Sequence, residues 1–166
     1  KMVAYELGWR GLLRPSVSAD AALFYFDYRD AISTSPGVVQ PMGPFTPIPF
    51  PPFALPSYIL QPVYFTNYAK ARTYGGELAM SWQVTEAWKL RANYAYFESK
   101  FSLDNGASPN TLALFQGAYP RHQAMLWSMH QLTPTVQFDL NLRYVGNVNL
   151  ELAPGDYLAL DARIGW

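Results

Sequence analysis

Cysteine is absent from the 166 residues, so neither a disulfide framework nor thiolate chemistry is open to this chain. Charge is scarce too: Asp, Glu, Lys and Arg make up 14% of the sequence, against about 25% in ordinary soluble domains. The 12 basic and 12 acidic side chains cancel. No basic patch is interleaved with aromatics, so nothing points to a nucleic-acid partner. No run reaches the roughly 18 continuous apolar residues of a membrane helix, and the chain therefore does not cross a bilayer in helical form. Histidine occurs twice, at His122 and His130. With no carboxylate at ligand spacing around them, no metal site and no cofactor are expected. A Ser-His catalytic pair has no supporting motif either, so the expected function is not enzymatic. The opening KMVAYELGWRG has no signal-peptide layout and already alternates like a strand, as a piece of something longer would.

What the chain does have is apolar and aromatic residues, at 50% and 16%. They are laid out with period two. From Gly75 to Phe97, alternate positions read Gly76, Leu78, Met80, Trp82 and Val84, then Trp88, Leu90, Ala92, Tyr94 and Tyr96. The positions between them carry Glu77, Gln83, Lys89, Arg91 and Asn93. Such alternation marks two β-strands with unlike faces joined by a turn at Thr85 to Ala87. The same frame, an apolar pair around three turn residues, recurs as Leu13-Arg-Pro-Ser-Val17 and Leu132-Thr-Pro-Thr-Val136. Three tight turns imply six strands, and YLALDARIGW supplies a seventh.

The other connections are long. Residues 31–66 form a Pro-rich segment, with nine of the 14 prolines between Pro36 and Pro62, expected to be neither sheet nor helix. Further loops cover residues 102–121 and 147–156. Short turns thus gather at one end of an antiparallel meander and long loops at the other. When the register is carried outward from each turn, one face holds no Asp, Glu, Lys or Arg along its seven strands. The other collects Glu6, Arg10, Asp20, Glu77, Lys89, Arg91, Asp139, Arg143, Asp161 and Arg163. The strand at 122–132 fits poorly, because its supposed polar side reads Gln123, Met125, Trp127, Met129 and Gln131. Either a bulge flips it or its inward side packs on something apolar.

A soluble β-sandwich or lipocalin-like barrel also alternates apolar and polar positions. Its strands, however, average about five or six residues, whereas these apolar faces run over about ten, enough for a tilted strand to cross a bilayer. From Tyr74 to Val84, at about 3.3 Å per residue and a tilt near 45°, a strand climbs about 23 Å along the membrane normal. Trp82 and Trp88 flank one tight turn, while Tyr74, Tyr94 and Tyr96 mark the opposite strand ends. Rings at both borders of an apolar band match the two interfacial girdles of a membrane barrel. The reading is therefore all-β: about seven antiparallel strands forming part of a transmembrane barrel wall, with short periplasmic turns and long extracellular loops. The whole chain, 1–166, is taken as one partial barrel domain.

The segments YELGWRG, ALFYFDYRDAI, TNYAKARTYGGELAMSWQVTEAWKLRANYAYFES, YPRHQAMLW, FDLNLRYVGN and YLALDARIGW, in that order, resemble the C-terminal half of the barrel of TonB-dependent outer-membrane receptors. The stretch NYAKARTYGGEL carries the likeness furthest. The resemblance implies a barrel of about 22 strands in the outer membrane of a Gram-negative bacterium, enclosing a plug domain and driven through that plug by a TonB complex. It implies uptake of a scarce small-molecule or metal-chelate ligand such as a ferric siderophore or cobalamin. No plug, TonB box or closing strand pair is recognised within these residues, so this stretch alone is not expected to transport anything. A passive porin-like channel and a soluble β-barrel binder remain as alternatives.

Several residues acquire expected roles. Glu77, Arg91, Arg143, Asp161 and Arg163 face the lumen and either meet the plug or pair across strands. Lys70 and Arg72 lie above the apolar band, where they either meet lipopolysaccharide phosphates or form a solvated rim. Phe45, Phe50, Phe53 and Tyr58 of the Pro-rich loop either touch a ligand or pack on neighbouring loops. Outer-membrane lipid is the expected partner of the apolar face.

Overall fold

The computed structural model of the chain describes residues 1–42, 58–108, 117–148 and 155–166. Among them seven strands form one antiparallel sheet: β1 (Met2–Arg14), β2 (Val17–Pro36), β5 (Val63–Thr85), β6 (Trp88–Leu103), β7 (His122–Thr133), β8 (Val136–Val145) and β9 (Tyr157–Gly165). Strand neighbours in space follow the order along the chain, so the sheet is the expected meander. A separate ribbon pairs β3 (Gln40–Met42) with β4 (Tyr58–Leu60).

All three tight turns share one construction. Arg14 pairs with Val17, Thr85 with Trp88 and Thr133 with Val136, so each turn has two residues rather than the three counted from the sequence. The remaining residue in each frame (Leu13, Val84, Leu132) sits at a register shift, as a bulge, just before the turn. A bulge leaves one residue without a ladder partner and strengthens the local twist. At the third turn the Thr133 hydroxyl accepts hydrogen bonds from the backbone N–H groups of Thr135 and Val136, at 3.4 Å and 3.1 Å.

Strand pairing also reaches into the Pro-rich segment from both sides, contrary to its reading as neither sheet nor helix. Ser33 pairs with Thr66, Thr34 with Phe65, Ser35 with Tyr64 and Pro36 with Val63. The prolines are tolerated because Pro36 ends its strand, and Pro41 lies in a ribbon that is two-stranded among the described residues, so that each strand has an edge outside the ladder. The result is a tall hairpin of 20 and 23 residues, about twice the 9–11 residues that cross a membrane. It bends at a register shift between Tyr28 and Ala31, where Asp30 has a φ of 56°. Above the bend the Ser33 hydroxyl, fully buried, bonds Thr66 Oγ1 at 2.8 Å and accepts the Tyr68 N–H at 2.9 Å. The start of the β6–β7 loop is fastened to this stalk: Ser108 N–H donates to Thr34 O at 2.6 Å, and Ser35 Oγ to Gly106 O at 2.6 Å.

Little of the sheet is buried. Among the described residues the buried apolar ones are Ala19, Ala69 and Ala71, all small, while Leu7, Leu158 and Leu160 are 70%, 67% and 67% exposed. An antiparallel sheet with exposed leucines in cross-strand rows needs an apolar medium against that face.

Candidate functional site

Cross-strand register sorts the side chains into rows shared by neighbouring strands, and the rows define two walls. On the apolar wall one row runs Trp9, Ala21, Leu78, Tyr94, Ala124, Tyr144 and Leu158; the next runs Gly11, Ala19, Met80, Ala92, Leu126, Leu142 and Leu160. Neither row contains a charge. Toward the long-loop end the wall is capped by Tyr5, Tyr25 and Tyr74, which share one row, with Tyr5 and Tyr25 rings 6.3 Å apart. Tyr94 and Tyr96 lie just below, and the Tyr94 hydroxyl bonds His122 Nδ1 at 2.7 Å. Toward the short turns stand Trp82 and Trp88. The indole N–H of Trp88 donates to Ser128 Oγ at 2.9 Å, Ser128 Oγ bonds His130 Nε2 at 2.8 Å, and the Trp88 and His130 rings stack 5.4 Å apart. Ser128 and His130 thus belong to the apolar wall near its lower border, where an indole covers their polar atoms.

The same register resolves strand β7. It is not flipped: Gln123, Met125, Trp127, Met129 and Gln131 share rows with Ala95, Asn93, Arg91, Lys89 and Gln137 on the charged wall. Trp127 is there to receive a cation, with the Arg91 guanidinium 5.8 Å from its ring centroid. Glu77, Arg91, Arg143, Asp161 and Arg163, named from the sequence, all lie on this wall. They are not equivalent. Arg143 donates to Asp161 at 3.1 Å along a diagonal, Arg163 reaches Asp139 at 3.7 Å straight across, and Arg10 pairs with Asp20. No partner is recorded for Glu77 or Lys89 among the described residues. Exposed pairs of this kind are worth about 0–1 kcal/mol each, so they orient the wall more than they stabilise it.

One feature of the charged wall was missed in the sequence. Near the long-loop end, Phe24, Phe26, Phe97 and Tyr119 form a continuous aromatic ledge. Ring centroids are 5.4 Å apart for Phe24 and Phe26, 6.2 Å for Phe24 and Phe97, and 5.7 Å for Phe97 and Tyr119. Phe24 and Phe97 stand either side of Gly75 in a single row, and a Cβ on Gly75 would lie 2.6 Å from the Phe24 ring. The missing side chain is what lets the two rings meet. The available signal was parity: Phe24, Phe26 and Phe97 occupy positions of the polar alternation, where an aromatic has no lipid to face.

Of the remaining candidates, Phe45, Phe50 and Phe53 lie outside the described residues, and Tyr58 opens β4. Lys70 and Arg72 share the parity of Tyr74 above the apolar wall. Lys70 is bound to Asp104 at 2.6 Å, whereas Arg72 stands in one row with Asp27 and Lys100.

These rows have a counterpart among known proteins. The profile described as "TonB dependent receptor-like, beta-barrel" matches residues 1–166. The chain belongs to this family. TonB-dependent receptors are β-barrels of the Gram-negative outer membrane, so the apolar wall faces lipid and the charged wall the lumen, with the short turns periplasmic. The catecholate siderophore receptor Fiu of Escherichia coli (strain K12) is 27% identical over 86 residues, 51% of this chain and 11% of that protein. Among solved structures, the ferric yersiniabactin uptake receptor FyuA from Yersinia pestis aligns with a TM-score of 0.61 at 21% identity, over 99% of this chain and 22% of its own. The siderophore receptor PiuA from Acinetobacter baumannii gives 0.65 at 17% identity, covering 98% and 22%. These structures establish the TonB-dependent receptor barrel fold. The chain spans about a tenth of the curated relative's length and about a fifth of each solved barrel.

Proposed function

We propose that this stretch of barrel wall serves a receptor for TonB-driven uptake of a siderophore, and that the lumenal ledge of Phe24, Phe26, Phe97 and Tyr119 receives the ligand's aromatic rings. The ledge carries the reading. Four rings on the water side of a barrel wall, at the extracellular end, are misplaced for lipid contact and for packing a soluble core, and they suit a flat aromatic chelating group. The partial match to a catecholate siderophore receptor supports the same class of ligand. In this reading the loop rings Phe45, Phe50, Phe53 and Tyr58 make the first contact, and Glu77 and Lys89 meet the plug.

Uptake of a radiolabelled ferric catecholate by iron-starved cells carrying the full-length receptor tests this. An aromatic contact is worth about 0.5–1.5 kcal/mol, so Phe97→Ala should weaken binding by up to about tenfold, with uptake falling at limiting ligand and surface level unchanged. Phe24→Ala combined with Phe97→Ala should fall further. Undiminished uptake in the double variant would sink the role of the ledge. Transport that continues after loss of the proton-motive force would favour a passive channel.

A further inference from the structure

At the long-loop end of the sheet, β6 outruns its neighbour. β7 begins at His122, opposite Tyr96, whereas β6 stays paired with β5 as far as Leu103, opposite Ala69. From Glu98 upward, no strand lies on the far side of β6 among the described residues. The ladder fixes which backbone groups face that side. The Tyr96 carbonyl points at β5, toward Gly75, while the Phe97 N–H points the other way and donates to Arg121 O at 2.9 Å. In an antiparallel strand these directions alternate residue by residue, so Ser99 aims both its N–H and its C=O at the open side. No bond to either is recorded there among the described residues.

A cleft of about 540 Å³ runs along this edge. Ser99 lines it together with Arg121, Asn147 and two members of the aromatic ledge, Phe97 and Tyr119, so ledge and cleft are continuous. The charged groups of the cleft are already engaged. Glu98 and Arg121 pair at 3.1 Å, and the Lys100 ammonium lies 5.6 Å from the centre of the Tyr74 ring. What is left is hydrogen bonding without net charge: the Ser99 backbone pair, the Asn147 amide, and a row of two hydroxyls, Thr73 and Ser99, whose enclosed oxygens have no hydrogen-bond partner. Thr73 is only 9% exposed. Enclosed hydroxyls are normally bonded, so this row is unsatisfied as it stands.

We propose that the cleft binds a peptide-like arm of the ligand as a strand added to the upper edge of β6. One ligand carbonyl accepts the Ser99 N–H, one ligand amide N–H donates to the Ser99 carbonyl oxygen, and the rings carried by the arm lie on Phe97 and Tyr119. Strand addition of this kind draws affinity from main-chain hydrogen bonds and selectivity from side chains beside the edge. The class of ligand is therefore an aromatic chelator strung on amides. A carboxylate arm fits less well, because it would face the Ser99 carbonyl oxygen and has no N–H to offer. The inference rests on the ledge as the place where ligand rings are received, and adds the chemistry that joins those rings.

Two synthetic ferric catecholates test this by calorimetric titration of the full-length receptor. One carries its catechol rings on a tripeptide backbone; the other is identical except that its backbone amides are N-methylated. With the hydrogen bonds to Ser99 available only to the first, it should bind the wild type about tenfold more tightly. Ser99→Pro removes the N–H donor at an edge where proline is tolerated. It should lower the affinity of the first probe to that of the second and leave the second unchanged. Folding of the variant is read from its mobility on unheated gels, and should it not fold, the two probes compared on the wild type still decide. Equal affinity of the two probes for the wild type, or an equal loss of both in folded Ser99→Pro, overturns the proposal. Phe97→Ala separates this from the role of the ledge. It should weaken both probes alike, and if it weakens neither while methylation still matters, the ledge fails and the added strand stands.

Discussion

Gly75 shows how much one missing side chain decides. A Cβ there would lie 2.1 Å from the Tyr96 carbonyl oxygen and 2.6 Å from the Phe24 ring, and the oxygen belongs to the backbone of the neighbouring strand, which cannot turn away. Overpacking of this kind costs about 1–3 kcal/mol, and Gly75→Ala should sit near the upper end. Gly8→Ala is the control, because its nearest contact is Ala21 O at 4.0 Å. Urea titration of the full-length receptor in lipid vesicles should show a clearly lowered midpoint for the first and little change for the second. Equal midpoints would mean that the strands separate at Gly75. Trp88 offers a second residue-scale test. Removing its N–H in Trp88→Phe leaves the Ser128 hydroxyl, itself bonded to His130, without its indole donor, at a cost of about 1 kcal/mol. The same titration measures it, and a midpoint equal to the wild type would deny the hydrogen bond any weight. The place of Trp88 beside a tight turn was legible in the sequence from the turn frame alone. Its partners were not, because Ser128 and His130 look like errors in an apolar face until a cross-strand neighbour is known.

At the scale of strands and turns, alternation carried most of the information. Six of the seven long strands follow from a period of two counted outward from three turns, the seventh from the alternation of YLALDARIGW, and with them the strand order and the face of Glu77, Arg91, Arg143, Asp161 and Arg163. Two things resisted that count. The bulges at Leu13, Val84 and Leu132 are invisible in a single strand, because a bulge is a relation between two strands. Strand β7 breaks the pattern because its charged-wall positions hold Met125, Trp127 and Met129, in rows with Arg143, Arg91 and Lys89, and the Arg91 guanidinium lies over the Trp127 ring. The Pro-rich segment misled for a related reason: proline forbids the interior of a sheet but not the end of a strand, and pairing persists to Pro36 and Val63. The assignment of faces has a direct test. An arginine on the lipid side near the bilayer middle costs about 2–4 kcal/mol, so Leu78→Arg should destabilise the full-length barrel by that amount. Asn93→Arg lies on the lumenal wall one residue from Leu78's partner Tyr94, diagonal to the unpaired Glu77. It should change stability by less than about 1 kcal/mol. The reverse ranking, measured as urea midpoints in vesicles, would turn the wall inside out.

For the molecule as a whole, the deciding quantity is the hydrogen bonding of its outermost strands. Among the described residues the sheet ends at β1 on one side and β9 on the other, and each has one edge with no strand beside it. In hydrocarbon every unpaired backbone N–H or C=O costs several kcal/mol. A strand crossing of about 9–11 residues leaves several such groups on each edge. Lipid-facing burial cannot offset this, because leucine rows meet lipid whether or not the sheet closes. Closure requires further strands, as in the solved barrels of which this chain covers 22%. Residues 1–166 expressed alone and refolded into detergent micelles should therefore form no monomeric heat-modifiable barrel. The expected product is an edge-paired oligomer or an aggregate, seen by light scattering and by a strand signal in circular dichroism that loses the sharp mobility shift on unheated gels. Co-refolding with the remaining strands of the full-length receptor, supplied as a separate polypeptide, should restore that shift, because both open edges then find partners. A monodisperse, folded monomer of the segment alone would show that β1 and β9 can pair with each other, and that seven strands close a wall by themselves.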